Sequence, residues 1–207
     1  IVFGDWSSDV CSSDLPDGKP LDEQSRFSGE FRLVAQLSQN MNFVMDLTVE
    51  AFLQMHAESR LIDNIPEKIK QIYQSAVMLA GEPFSLDTAI TSLSGGQSRA
   101  LMIADVAYLS ASPVVLVDEI ENAGINRVKA VSLLLDKHKI VLIATHDPLL
   151  ALSCDRRIVI KNGGIADVVK TLEAEKKSAA CLAALDQKLG LLRENVRKGK
   201  HLIFDQT

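Results

Sequence analysis

Three short groups of residues have side chains and backbone features suited to phosphate and metal chemistry. The first, residues 93–97, reads LSGGQ and begins a segment with helical character. Ser94 and Gln97 have the spacing of a capping box, which would explain both of them as structural residues. It does not explain Gly95 and Gly96, since glycine costs up to about 1 kcal/mol in a helix relative to alanine. Glycine lets a ligand approach the backbone and a helix N-terminus attracts anions, so this group predicts a phosphate-binding site.

The second group consists of two acids at the end of an apolar run. Residues 114–117 are all aliphatic and are followed by Asp118 and Glu119. Such a run is typical of a strand buried on both faces, and parallel sheets bind ligands at the carboxyl ends of their strands. There Asp118 could hold Mg²⁺, directly or through water, and Glu119 could orient or deprotonate an attacking water. Two solvated loop acids are the alternative interpretation.

The third group, Thr145, His146 and Asp147, follows a second apolar run at 140–144. If both runs are parallel strands, His146 is expected beside the two acids at the same edge of the sheet. A histidine there could donate to a phosphate oxygen or hold the attacking water, where negative charge develops during hydrolysis. A histidine that makes only a structural hydrogen bond is the alternative.

The elements that must position these groups alternate between strand and helix. Strands are predicted over 31–38, ending at Gln39, and over 114–117, 140–144, 158–160 and 165–169, the last two flanking a turn at 162–164. Helices are predicted over 48–56, 64–80, 94–109 and 126–138, and 172–197 is predicted to be one long helix or a helical pair. This alternation indicates an α/β core with a parallel sheet, and the strand-free stretch 48–92 indicates a helical insert.

The composition limits the class of protein and its partners. The 207 residues suffice for one sizeable domain with an appendage, and 47% hydrophobic with 24% charged residues is typical of a globular protein. A net charge of −5 argues against a nucleic-acid partner. The three cysteines lack metal-ligand spacing, which indicates free thiols in a reducing compartment. No apolar run reaches the ~18 residues of a membrane span, so a membrane role is expected to need a membrane-embedded partner.

Taken together, these groups resemble the nucleotide-binding domain of ATP-binding-cassette (ABC) proteins. Residues 93–97 match that family's signature motif, and residues 114–119 resemble its Walker B strand. His146 is similar to the switch histidine, and Gln39 stands where the family has its Q-loop glutamine. The resemblance extends over roughly residues 16–170.

The resemblance implies a fold and an organisation of the chain. The fold is an α/β, P-loop NTPase-like ABC ATPase core with a parallel sheet and an inserted helical subdomain. The sequence has no G-x-x-x-x-G-K-[ST] phosphate loop, so we expect an N-terminal truncation just after that loop. Residues 1–15 contain a repeated Ser-Ser-Asp run and are expected to be a non-native, adapter-like segment, with a real flexible N-terminus as the alternative. The other expected parts are a remnant of the N-terminal β region with the Q-loop (16–47), a helical subdomain ending in the signature motif and its helix (48–110), an α/β core with Walker B, D-loop and switch histidine (111–170) and a C-terminal helical extension (171–207).

The resemblance also assigns cofactors and residue roles, with ATP and Mg²⁺ as the cofactors. Glu119, His146 and Gln39 are expected to be catalytic, and Asp118 and Gln39 to serve the metal. The nucleotide-binding residues are expected to be Leu93, Ser94, Gly95, Gly96 and Gln97 of the signature and Asn122, Ala123 and Gly124 of the D-loop. Two departures stand out: the D-loop run lacks the usual proline and has asparagine at the expected aspartate position, and Arg99-Ala100 replaces the usual Gln-Arg pair.

The function implied is the ATP-binding and ATP-hydrolysing subunit of an ABC transporter. The full-length parent is expected to be an ATPase, and this chain, without the phosphate loop, to be inactive alone. The expected partners are another ABC ATPase domain, as a homo- or hetero-dimer, and a membrane-embedded transport subunit. The expected location is the cytoplasm, including the cytoplasmic face of the membrane. The alternatives are a soluble, non-transport ABC-type ATPase acting through ATP-driven dimerisation, and a non-catalytic partner that donates only its signature.

Overall fold

A computed structural model of the chain describes residues 33–38, 43–120 and 125–201. The described residues up to Thr145 form one compact unit, and those from His146 onward form a second. The first unit contains a parallel sheet with its helices, and the second contains a β-hairpin with a short and a long helix.

Three parallel strands form the sheet of the first unit. They are β1 (Val34–Leu37), β2 (Val114–Asp118) and β3 (Ile140–Ala144), and β2 lies between the other two. The parallel α/β arrangement predicted from the apolar runs is therefore confirmed. Strand β1 is shorter than the predicted range 31–38, of which residues 31 and 32 lie outside the described part of the chain.

The helices of the first unit begin and end close to the predicted positions. They are α1 (Val49–Ser59), α2 (Ile65–Ala80), α3 (Gly95–Leu109) and α4 (Arg127–Asp136), with a short 3₁₀ turn at Ile90–Ser92. Local capping explains this agreement. The hydroxyl of Thr48 accepts from the backbone N–H of Ala51 at 3.2 Å, and Gly81 ends α2 with a φ of 71°, a conformation that glycine adopts without strain.

Helix α3 is the centre of the hydrophobic core. Leu101, Ile103 and Ala104 have no exposed surface, and α2 packs along the same helix. The Asp105 carboxylate is also buried here. One of its oxygens lies 3.1 Å from the His56 ring, and the other lies 3.5 Å from the Arg60 guanidinium. These contacts join α1 to α3, so the helix that begins at the LSGGQ run is held from several sides.

Burial of the sheet differs from the sequence prediction. The aliphatic runs predicted strands covered on both faces, but burial alternates along β2, where Val115 and Val117 are buried and their neighbours are half-buried. In β3 the side chains of Ile140 and Leu142 are 61% and 37% exposed. The described helices cover one face of the sheet, so a continuous aliphatic run was not sufficient evidence for burial on both sides.

The second unit contains α5 (Pro148–Ser153), the antiparallel strands β4 (Arg156–Lys161) and β5 (Gly164–Lys170), and α6 (Glu173–Arg197). The predicted turn is confirmed, and its residues Asn162 and Gly163 have φ of 51° and 78°, as tight hairpins require. A salt bridge of 2.6 Å from Arg157 to Glu175 joins the hairpin to α6, which is one continuous helix and not a pair. None of the helices in the described ranges combines the length and apolar character needed to cross a membrane.

Candidate functional site

The LSGGQ run forms the N-terminus of α3, as predicted. The Ser94 hydroxyl accepts from the backbone N–H of Gln97 at 3.3 Å, and the Gln97 side-chain oxygen accepts from the backbone N–H of Ser94 at 3.0 Å. The Gln97 amide also donates to the Pro83 carbonyl at 3.3 Å, while Leu93 is buried. The capping box is thus real, and it accounts for Ser94 and Gln97 within the chain itself.

Gly95 has no comparable explanation among the described residues. A Cβ atom placed on Gly95 would meet no described atom within 4 Å beyond its sequence neighbours and its own helix backbone, and the residue does not adopt a positive φ. Neither packing nor backbone conformation therefore requires glycine here, although glycine is less favourable than alanine in a helix. The open space above Gly95 lies at a helix N-terminus, which suits an anionic group.

The two predicted acids lie at the carboxyl end of the central strand. Asp118 is the last residue of β2 and pairs with Ala144, the last residue of β3. The backbone N–H of Glu119 donates to the Ala144 carbonyl at 3.0 Å, and Ile120 behind it is completely buried. Both acids are half-buried, so they are held by the sheet and remain accessible.

Glu119 adopts an unusual backbone conformation. Its φ of 45° lies in the left-handed region, which side chains with a Cβ atom rarely adopt. Such a residue costs about 1–3 kcal/mol and persists where surrounding contacts over-determine it, which is frequent at functional sites. This strain could not be predicted from residue type, since glutamate has no special preference for that region.

Arg99 supplies contacts to this strained segment. It lies in α3, is only 7% exposed, and one guanidinium nitrogen donates to the carbonyls of both Asp118 and Glu119 at 3.1 Å. A second nitrogen donates to the Ser38 carbonyl at 3.0 Å, beyond the end of β1. From the sequence, Arg99 is visible only as a departure from a motif, because its acceptors are distant in sequence.

His146 follows β3 by two residues and belongs to the second unit. Its side chain is exposed, and it immediately precedes Asp147, whose carboxylate accepts from the backbone N–H of Leu149 at 2.8 Å and so caps α5. Gln39, Asn122, Ala123 and Gly124 lie outside the described residues. The structure therefore brings the signature helix and the two acids together through Arg99.

The carboxylate at the end of β2 is suited to a magnesium ion that is bound together with phosphate. Among the described residues, no three His, Cys, Asp or Glu side chains cluster as a metal site of their own. Mg²⁺ usually takes one or two carboxylates and completes its octahedron with phosphate oxygens and water. Asp118, a half-buried carboxylate at the edge of a parallel sheet, fits that requirement.

A parallel α/β unit with two acids at the carboxyl end of its central strand has the arrangement of a ligand-binding α/β protein. Known proteins whose sequences are similar to this one are named as ATP-binding proteins. The chain is 51% identical over 176 residues to an uncharacterized ABC transporter ATP-binding protein of Methanocaldococcus jannaschii, covering 84% of this chain and 66% of that protein. It is 30% identical to the energy-coupling factor transporter ATP-binding protein EcfA1 of Mycoplasma mycoides, covering 73% of this chain and 38% of that protein. The chain belongs to the ABC family of ATP-binding domains.

Solved structures agree on the fold. The structure of cbiO1 from Clostridium perfringens, part of the ABC transporter complex cbiONQ, matches with a TM-score of 0.54 at 21% identity, covering 86% of this chain and 74% of that one. A structure of an ATP-binding subunit of an ABC transporter matches with a TM-score of 0.55 at 18% identity, covering 72% and 62%. No family model matches the sequence. The chain spans about two thirds or less of the curated relatives it matches.

Proposed function

We propose that the protein binds and hydrolyses MgATP as the ATP-hydrolysing subunit of an ABC transporter. The observation that carries this proposal is Gly95, a helical glycine that no packing contact in the described part of the chain requires. Its open N-terminal position would admit a phosphate group, and an alanine methyl there would occupy the space that the phosphate needs. Membership of the ABC family supports ATP as the source of that phosphate.

Each predicted site residue receives a role in this proposal. Asp118 holds Mg²⁺, and Glu119 orients and deprotonates the attacking water. Gln39 would serve the same metal and water, and His146 would stabilise the charge that develops on the γ-phosphate. The helix start at 93–97, with Asn122, Ala123 and Gly124, would contact nucleotide from the other side of a subunit interface.

The proposed partners are a second ABC ATPase domain and a membrane-embedded transport subunit. In the proposed pair, each ATP lies between the signature motif of one subunit and the phosphate loop of the other. The two subunits are arranged head to tail about a two-fold axis, so the pair has two composite sites. The 207-residue sequence contains no G-x-x-x-x-G-K-[ST] loop, so this chain by itself should bind ATP weakly and not hydrolyse it. Cytoplasmic location, attached to the membrane through the transport subunit, follows from these partners.

The experiment measures Mg²⁺-dependent ATP hydrolysis by the protein at the full length of its reading frame, in the wild type and in Glu119→Gln. We expect activity in the wild type and a loss of at least about 100-fold in kcat in the variant, because the amide cannot accept the proton of the attacking water. Asp167→Asn, a change in an exposed acid on β5, is the control and should leave kcat unchanged. Equal activity of Glu119→Gln and wild type, or an inactive wild type, would exclude the proposal.

A further inference from the structure

We propose that Arg99 is a positioning residue that holds the acidic end of β2 in the strained conformation found at Glu119. It is buried, and it donates to three backbone carbonyls on two other segments of the chain. A buried guanidinium with three acceptors is well satisfied, and its planar fork fixes the relative places of the groups it contacts.

The placement of the acceptors gives Arg99 its specific effect. The carbonyls of Asp118 and Glu119 belong to the two peptide units on either side of the left-handed residue Glu119, and one guanidinium nitrogen contacts both of them at 3.1 Å. On the other side, the N–H of Glu119 is fixed by the Ala144 carbonyl at 3.0 Å. The unfavourable φ of Glu119 is therefore opposed by contacts from α3 and β3 together.

Arg99 also connects the start of α3 with the ends of β1 and β2. In the proposed function, the start of α3 contacts the ATP held by the second subunit, and the strand ends serve the ATP of this subunit. Arg99 lies on α3, four residues after Gly95, so a displacement of the helix start by a bound phosphate would move its guanidinium as well. Its third acceptor, Ser38, is the residue before Gln39. This catalytic meaning rests on the proposed function, whereas the positioning of Glu119 depends only on the contacts described.

The first test measures backbone hydrogen exchange in the 207-residue chain, in wild type, Arg99→Gln and Asp105→Asn. Loss of the charged donor should make the amides of residues 117–119 exchange about tenfold faster. Asp105→Asn is the matched control. Asp105 is a buried acid on the same helix, and it contacts His56 and Arg60. In the Asp105→Asn variant, the amides of residues 117–119 should exchange as in wild type. Unchanged exchange in Arg99→Gln, or equal acceleration in both variants, would overturn the proposal.

The second test measures kinetics in the form of the protein whose wild type hydrolyses ATP. Arg99→Gln should lower kcat by about 100-fold, as misplacement of a catalytic group does, and leave KM within about twofold. Arg99→Lys should recover part of kcat, since it restores the charge without the planar fork. An active wild type with an equally active Arg99→Gln variant would contradict the proposal. If no form of the wild type hydrolyses ATP, the proposed function fails, and the exchange measurement still decides the role of Arg99.

Discussion

Asp118 lies directly opposite Ala144 in the register of two adjacent parallel strands. Because both strands end at this pair, Glu119 and Thr145 leave the sheet at the same edge, and the Glu119 N–H donates back to the Ala144 carbonyl at 3.0 Å. The register therefore determines that Glu119 and Thr145 begin side by side. The catalytic assignment proposed for these residues depends on that alignment.

Gly95→Ala should stabilise the chain and impair its function. The added methyl group meets no neighbouring side chain among the described residues, so the free energy of unfolding should rise by up to about 1 kcal/mol through better helix propensity. ATP hydrolysis by the full-length protein should fall at least about tenfold, because the methyl group occupies the proposed phosphate position. Urea denaturation and steady-state kinetics measure the two effects.

Gly190 provides the matched control for Gly95. It also lies in a helix, α6, and a Cβ atom placed on it has no atom within 4 Å. Gly190→Ala should raise stability by a similar amount and leave hydrolysis unchanged. Equal loss of activity in both variants, or none in Gly95→Ala, would remove the support that Gly95 gives to the phosphate site.

Leu61→Gly should stabilise the protein. Helix α1 ends in a Schellman motif, in which the N–H of Ile62 donates to the Ala57 carbonyl at 3.1 Å and the N–H of Leu61 to the Glu58 carbonyl at 3.0 Å. Leu61 has a φ of 53°, the position that glycine usually occupies, and its side chain is 90% exposed. Removing the strain should raise the free energy of unfolding by about 1 kcal/mol in a urea titration.

Gly81→Ala is the reciprocal control for Leu61→Gly. Gly81 ends α2 with a φ of 71°, where a Cβ atom is strained although no neighbouring atom obstructs it. This change should destabilise the protein by about 1 kcal/mol. If Leu61→Gly destabilised the protein as much as Gly81→Ala, that result would contradict the left-handed conformation of Leu61 at the end of α1.

Cys154 should be alkylated more slowly than Cys181. Burial raises the pKa of the Cys154 thiol, the neighbouring Asp155 raises it further, and Arg157 acts in the opposite direction. At pH 8 a raised pKa leaves less of the reactive thiolate, and the thiol also donates to the Leu150 carbonyl at 3.3 Å. Cys181 is exposed, so iodoacetamide should label it on the order of tenfold faster, as peptide mass spectrometry would measure. Faster labelling of Cys154 would contradict the described packing of α5.

Prediction from sequence succeeded where local chemistry determines the structure. The boundaries of α2 and α3 follow from Pro66, Gly81 and the capping box at Ser94, each of which acts within a few residues. The contacts of Arg99 could not be predicted in this way, because Ser38 lies 61 residues away. The strain at Glu119 likewise results from tertiary contacts, which override the preference of a single residue.

The central claim, that this chain supplies half of an ATP site completed by a second subunit, is tested most directly by MgATP-dependent dimerisation of the full-length Glu119→Gln protein. Sedimentation velocity should show monomer without nucleotide and dimer with MgATP, since hydrolysis no longer separates the subunits. Adding Gly95→Arg should prevent the dimer, because a bulky side chain would block the open space above that residue. A species whose mass does not change with MgATP, or a dimer that persists unchanged with Arg at position 95, would contradict the claim.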